Sequence, residues 1–250
     1  MKRVILLGDS ITEQAFSSAG CWGSLLANQF RRRADVINRG FSGYNTRWIL
    51  AHLDTILEPH TVAGGQPAVT AATAVVIFLG ANDAARLPSF QHVPVEEYGA
   101  NLVSLVQRVR EKLNIGSNSR NVILVTPPPF HERSWLLAKG CATSDRTALV
   151  TQQYAQRAVR AAVDADCGLV DLHSLFLSAA EGSPDKTAMF LDDGLHLNVA
   201  GAALVYKALV LALYDFLPPA TGAEATSTTA AQPFLPHYSS FKAACEATDA

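Results

Sequence analysis

The chain has 250 residues, of which 49% are hydrophobic and 17% charged, and its formal net charge is −2. That is an ordinary globular composition, long enough for one large α/β domain or two small ones with a sizeable core. It holds no basic stripe that would suit nucleic acid, and no apolar run near the roughly 20 residues of a membrane span.

The basic start of the chain precedes too short an apolar stretch for a signal peptide and reads better as an immediate strand over 4–7. That strand lies in ILLGDSIT and stops abruptly at Gly8, Asp9 and Ser10. Residues 22–33 read as a helix, 35–38 as a second strand, and 47–57 as a helix halted before Pro59. Residues 60–71 contain Gly64, Gly65 and Pro67 and read as a loop. AVVIFLG, residues 74–80, is continuous and β-branched, as befits a strand buried on both faces. A long helix over 95–113 and a strand over 121–126 follow. Pro127 to Pro129 end that strand, because proline cannot extend a central ladder. A helix over 147–163, a fifth strand over 168–172 and a last helix over 199–216 complete the pattern.

This alternation implies a parallel sheet with helices on both faces. Residues 1–219 are expected to form the domain and the low-complexity stretch 220–233 a flexible linker. The more aromatic tail, 234–250, is expected to dock on the domain or on a partner subunit, the second case being a homodimer. The four cysteines show no metal-ligand spacing and read as free thiols, pointing to a reducing, cytoplasmic location.

In an open α/β sheet the ligand crevice lies beyond the carboxyl ends of the strands. Polar residues follow several of these ends: Ser10 after the first strand, NRGFSGYN after the second, Asn82 and Asp83 after the third, and LDDGLHLN before the last helix. Seven histidines are present, and only His196 has an aspartate, Asp193, three residues earlier. A serine hydroxyl is a weak nucleophile until a base takes its proton and a further group orients the base. Ser10, His196 and Asp193 supply those three parts. A tetrahedral intermediate also needs preorganised donors, for which the Gly43 N–H and the Asn82 amide are candidates. Taken singly, each has a plainer reading: Ser10 and Asn198 as helix caps, Gly43 and Asn82 as turn residues. Phe130, Trp135 and Leu136, in an expected loop after the fourth strand, suit an apolar substrate wall. Phe16 and Trp22 read as core, Arg39, Arg47 and Trp48 as braces for the Gly43 loop, and Asp192 as a solvated neighbour of the acid. No GxSxG elbow occurs, which disfavours an ordinary α/β-hydrolase.

Gly8-Asp9-Ser10, Gly43 in NRGFSGYN, GAND ending at Asp83, and DGLH over 193–196 resemble, in order and spacing, the four blocks of the SGNH (GDSL-type) hydrolases. The longer stretches GDSITE, RGFSGYNTRW, FLGANDA and DGLHLN are similar to the isoamyl acetate-hydrolysing esterase subgroup. The resemblance implies a three-layer α/β/α, flavodoxin-like fold with a five-stranded parallel sheet. It also implies hydrolysis of small, acetate-type carboxylic esters by water, through an acyl-enzyme and without cofactor or metal. Ser10 would be the nucleophile, His196 its base and Asp193 the orienting acid. The Ser10 N–H, the Gly43 N–H and the Asn82 side chain would form the oxyanion hole, and Asp9 would brace the loops. Ile11 stands where the family name has leucine. The same triad would serve a thioesterase, a lysophospholipase or a carbohydrate deacetylase, since it does not read the leaving group. Outside this class stand a non-catalytic binding module and an aspartyl phosphatase using Asp9. The phosphatase would want an acid at position 11, where isoleucine stands.

Overall fold

The computed structural model describes residues 2–18, 22–57, 74–115 and 119–217. In chain order the elements are β1 (Lys2–Gly8), α1 (Ser10–Glu13), α2 (Trp22–Gln29), β2 (Ala34–Gly40), α3 (Thr46–Leu57), β3 (Ala74–Phe78), α4 (Val95–Leu113), β4 (Val122–Val125), α5 (Glu132–Lys139), α6 (Ala148–Asp164), β5 (Gly168–Val170), α7 (Leu172–Ala179) and α8 (Val199–Leu213). The strands form one parallel sheet in the order β2-β1-β3-β4-β5.

Strand side chains alternate between two cores, as the two-residue period of a strand requires. Val4, Leu6, Val76, Phe78, Ile123 and Val125 face a layer containing Trp22, Phe176, Val205 and Leu209. Ile5, Leu7, Val75, Ile77, Val122 and Leu124 face the opposite layer, with Ile49, Leu102, Val106 and Ala158. Both faces are therefore apolar, which is why the strands read as unbroken hydrophobic runs. The result is the expected three-layer α/β/α fold.

Some boundaries differ from the expected ones for local reasons. Helix α2 ends at Gln29, and Arg32 takes a left-handed φ of 64° before β2 begins at Ala34. Strand β5 ends at Val170, because the Asp171 carboxylate accepts the Ser174 N–H at 3.1 Å and caps α7. Residues 132–139 are a helix rather than a loop: the His131 side chain accepts the Ser134 N–H at its start, and left-handed Gly140 closes its end. The expected loop over 60–71, the linker, the tail, Cys21 and Cys245 lie outside the described residues. Cys141 and Cys167 are free thiols. Among the described residues no helix is long and apolar enough to cross a membrane.

Gly8 marks the point where β1 turns into α1, and close approach demands glycine there. A Cβ at this position would lie 2.1 Å from Thr12 Oγ1 and 2.5 Å from the Phe78 carbonyl oxygen. Gly8→Ala is expected to lower stability by about 1–3 kcal/mol, the usual range for overpacking a tight core. Urea unfolding should show a reduced midpoint with an unchanged slope. An unchanged midpoint would mean that the turn has room it does not show.

Candidate active site

The site begins where β1 ends. Asp9 Oδ1 accepts the Ile11 N–H at 3.0 Å and caps α1. Ser10 thereby becomes the first helical residue, and its N–H is one of the start-of-helix amides that have no intrahelical acceptor. On the opposite side, residues 191–198 form a closed turn. The Asp192 N–H donates to the His196 carbonyl at 2.8 Å, Leu191 and Leu197 form a β-bridge, and the Asn198 side chain caps α8 by accepting the Gly201 N–H at 3.1 Å. Inside that turn Asp193 Oδ1 accepts the backbone N–H groups of Leu195 at 3.0 Å and His196 at 2.9 Å. Its other oxygen, Oδ2, lies 2.9 Å from His196 Nδ1, and His196 Nε2 lies 2.9 Å from Ser10 Oγ.

The protonation pattern follows from these contacts. Partial burial pushes the Asp193 carboxyl up, but the bonds from the His196 ring, the His196 N–H and the Leu195 N–H outweigh it and hold the group far below the usual carboxylate range. An ionised carboxylate only accepts, so His196 Nδ1 carries the proton and Nε2 presents a lone pair to the Ser10 hydroxyl. Lys139 Nζ reaches the same Asp193 oxygen at 3.8 Å.

Two further loops reach this edge. Gly43 follows β2 with a φ of 82°, a conformation that side chains rarely adopt. The Gly43 carbonyl accepts Gln91 Nε2 at 2.8 Å. Asn82 follows β3, and its Nδ2 donates to the Tyr44 carbonyl at 2.9 Å. Asn82 Oδ1 accepts from Gln91 Nε2 and from Arg146 Nη2, each at 3.2 Å. Neither Gln91 nor Arg146 stands out in the sequence, since neither belongs to a recognisable block.

The three wall residues part company. Phe130 is 2% exposed and packs into the core, edge-on to Trp135 at 5.9 Å between ring centroids. Trp135 lies between two cations: Lys139 Nζ sits 4.4 Å from its ring centroid and the Arg146 guanidinium 5.6 Å. Phe130 and Leu136 bound a cavity of about 570 Å³ with His131, Arg133, Leu137 and Pro184, and none of Ser10, Asp193 or His196 lines it. Trp22 is fully buried and Phe16 partly exposed. Arg47 pairs with Glu97, and Trp48 stacks on Phe90 at 5.9 Å, both as braces for the helix behind Gly43.

The model of the GDSL-like lipase/acylhydrolase family matches residues 6–204. The chain belongs to this family. It is 40% identical over 209 residues to the isoamyl acetate-hydrolyzing esterase 1 homolog of Mus musculus, covering 82% of this chain and 78% of that one. The Arabidopsis thaliana GDSL esterase/lipase At5g45920 is 36% identical over 213 residues, covering 82% and 83%. Among solved structures, the lipase/acylhydrolase of Enterococcus faecalis superposes with a TM-score of 0.65 at 24% identity, covering 88% of this chain and all of that one. Family membership makes the chain a carboxylic ester hydrolase.

Two buried acids underlie the GDSL serine. Asp9 is 1% exposed and Asp83 fully buried. Asp83 Oδ1 accepts both the N–H and the hydroxyl of Thr46, at 3.0 and 2.5 Å, which ties the start of α3 to the Asn82 loop. Burial, reinforced by the Asp83 charge, pushes Asp9 up to about 7, and burial pushes Asp83 up to about 6. The folded chain therefore holds protons that the unfolded chain has released. Their contribution to stability is fullest below about pH 4 and is lost as pH rises towards 7. Asp193 acts oppositely, since its depressed carboxyl stabilises above about pH 4 and ceases to do so in stronger acid. Between pH 5 and 8 the unfolding free energy should therefore fall with rising pH, by up to about 1.4 kcal/mol per unit per acid. Asp9→Asn should flatten that slope in urea titrations. A variant slope identical to the parent's would show that Asp9 carries no such proton.

Proposed function

We propose that the chain is a serine esterase for small carboxylic esters of the acetate type, working through an acyl-enzyme. The observation that carries this reading is the continuous relay Ser10 Oγ–His196 Nε2, His196 Nδ1–Asp193 Oδ2, with both links at 2.9 Å. As Ser10 Oγ attacks the ester carbonyl carbon, its proton passes to His196 Nε2. Asp193 stabilises the resulting imidazolium through Nδ1–H. The carbonyl oxygen becomes an oxyanion, for which the Ser10 N–H, the Gly43 N–H and the second Asn82 Nδ2–H are the donors. When the intermediate collapses, the alcohol leaves with the proton from His196 and the acyl group stays on Ser10. Water then attacks the acyl carbon while His196 takes its proton, and the acid is released with Ser10 restored.

A small alcohol and a short acyl group suit this reading because the relative named isoamyl acetate-hydrolyzing esterase 1 homolog is similar over most of both chains. Trp135, beside the relay, is the aromatic residue best placed to touch the ester; Phe130 and Leu136 shape its support. No metal enters any step.

Turnover of p-nitrophenyl acetate with EDTA present tests the scheme. Ser10→Ala should lose about 10³-fold or more in kcat. Asn82→Ala should lose about 10²–10³-fold with little change in KM, as expected of a donor used chiefly in the transition state. Parental turnover in Ser10→Ala would sink the serine mechanism.

A further inference from the structure

Arg146 is a buried guanidinium that the relay does not use. It lies between α5 and α6 and is only 3% exposed. Each of its five N–H groups has an acceptor. Nε donates to the Ala81 carbonyl at 2.9 Å, and Nη1 donates to both oxygens of Asp145 at 2.8 Å. Nη2 donates to Asn82 Oδ1 at 3.2 Å and to Gln91 Oε1 at 3.0 Å. So complete a set of partners repays the burial of a charge, and it fixes the geometry of every acceptor.

Asn82 could face either way in a symmetrical environment, because its oxygen and nitrogen have nearly the same shape. Here they are not equivalent. A guanidinium only donates, so the atom facing Arg146 must be oxygen. The amide nitrogen then faces the Tyr44 carbonyl, with its second hydrogen left for the substrate. Turning the amide over would set N–H against N–H at Arg146 and oxygen against oxygen at Tyr44. Gln91 is held by the same logic: its Oε1 is fixed by Arg146, so its Nε2 must reach the Gly43 carbonyl and Asn82 Oδ1. One cation thus sets the polarity of two amides, and the second of them tethers the Gly43 turn.

We propose that Arg146 is a positioning residue for ester hydrolysis, holding the Asn82 amide, and through Gln91 the Gly43 loop, in the one polarity that offers N–H to the oxyanion. The inference rests on the oxyanion role given to Asn82 above. Lysine cannot reproduce the arrangement, since a compact ammonium lacks the planar fork that spans Ala81, Asn82 and Gln91 at once.

The test is a double-mutant cycle on p-nitrophenyl acetate, with the parent, Arg146→Lys, Asn82→Ala and the double variant. Arg146→Lys should lower kcat by about 10–100-fold while KM moves by less than about threefold. Because part of the Arg146 effect runs through Asn82, adding Arg146→Lys to Asn82→Ala should slow the enzyme by clearly less than Arg146→Lys slows the parent. A merely structural role would give losses that multiply, so multiplying losses, or a parental kcat in Arg146→Lys, overturn the proposal. Should Arg146→Lys melt at the assay temperature, Gln91→Met and its double variant with Asn82→Ala complete the same cycle. There, too, non-additive losses are expected, and multiplying losses refute. An Asn82→Ala enzyme with parental kcat would overturn the oxyanion reading itself, and this inference with it, while leaving the Ser10 result standing. A slowed Asn82→Ala enzyme with multiplying losses removes Arg146 alone.

Discussion

Hydrogen bonding along β1 brings Ser10 and the Gly43 and Asn82 loops to one level. Gly8 pairs with Gly40 on one side and with Phe78 on the other. Three strand ends therefore lie side by side, and the chain beyond each must leave the sheet at the same edge. Ser10 comes two residues beyond its strand pair, Gly43 three and Asn82 four, so a few residues of loop suffice to bring all three together. Sliding one strand by a residue would move its loop by about 3.3 Å and exchange the two faces of its side chains. Strict burial on both faces forbids that slip, so the hydrophobic cores on either side of the sheet hold this alignment of loops in place.

The charges around the serine are arranged with similar economy. Asp193 is kept ionised by three hydrogen-bond donors, whereas Asp9 and Asp83 are pushed towards the neutral form by burial. Developing negative charge on a substrate oxygen would be opposed by ionised acids beneath Ser10. Protonation of either acid, which burial favours, lessens that opposition, and both still accept the caps that shape α1 and the start of α3. The guanidinium of Arg146 adds a fixed positive charge behind Asn82, on the side where the oxyanion would form.

What could be read from the amino-acid order depended on range. The strands were legible because a sheet covered on both faces needs continuous apolar runs. Asp193 and His196 were legible because only two residues stand between them, and Ser10 because it follows the first strand directly. Helices α5 and α7 were not. None of the residues of α5 is fully buried, so it carries no clear apolar stripe. Helix α7 starts straight after β5, and GLVDLHSLFL reads as one apolar run until Asp171 is seen to cap. The grip of Arg146 on Asn82 joins residues 64 apart, and its grip on Gln91 residues 55 apart. No local pattern marks such a contact; only the folded chain brings a donor-only group against two amides.

Asp193 and His196 share one short turn, while Ser10 lies 186 residues away in sequence. The pair Asp193–His196 moves as a unit, so the relay has a single long-range joint. That joint is seated on the core, because Leu191, Leu195 and Leu197 of the same turn are buried in the layer that holds Trp22 and Phe176. The seating of the Asp193–His196 pair and the packing of that layer are therefore linked. Lifting this eight-residue segment would expose three buried leucines and uncap α8, so the pair stays in register for as long as the layer beneath it stays packed.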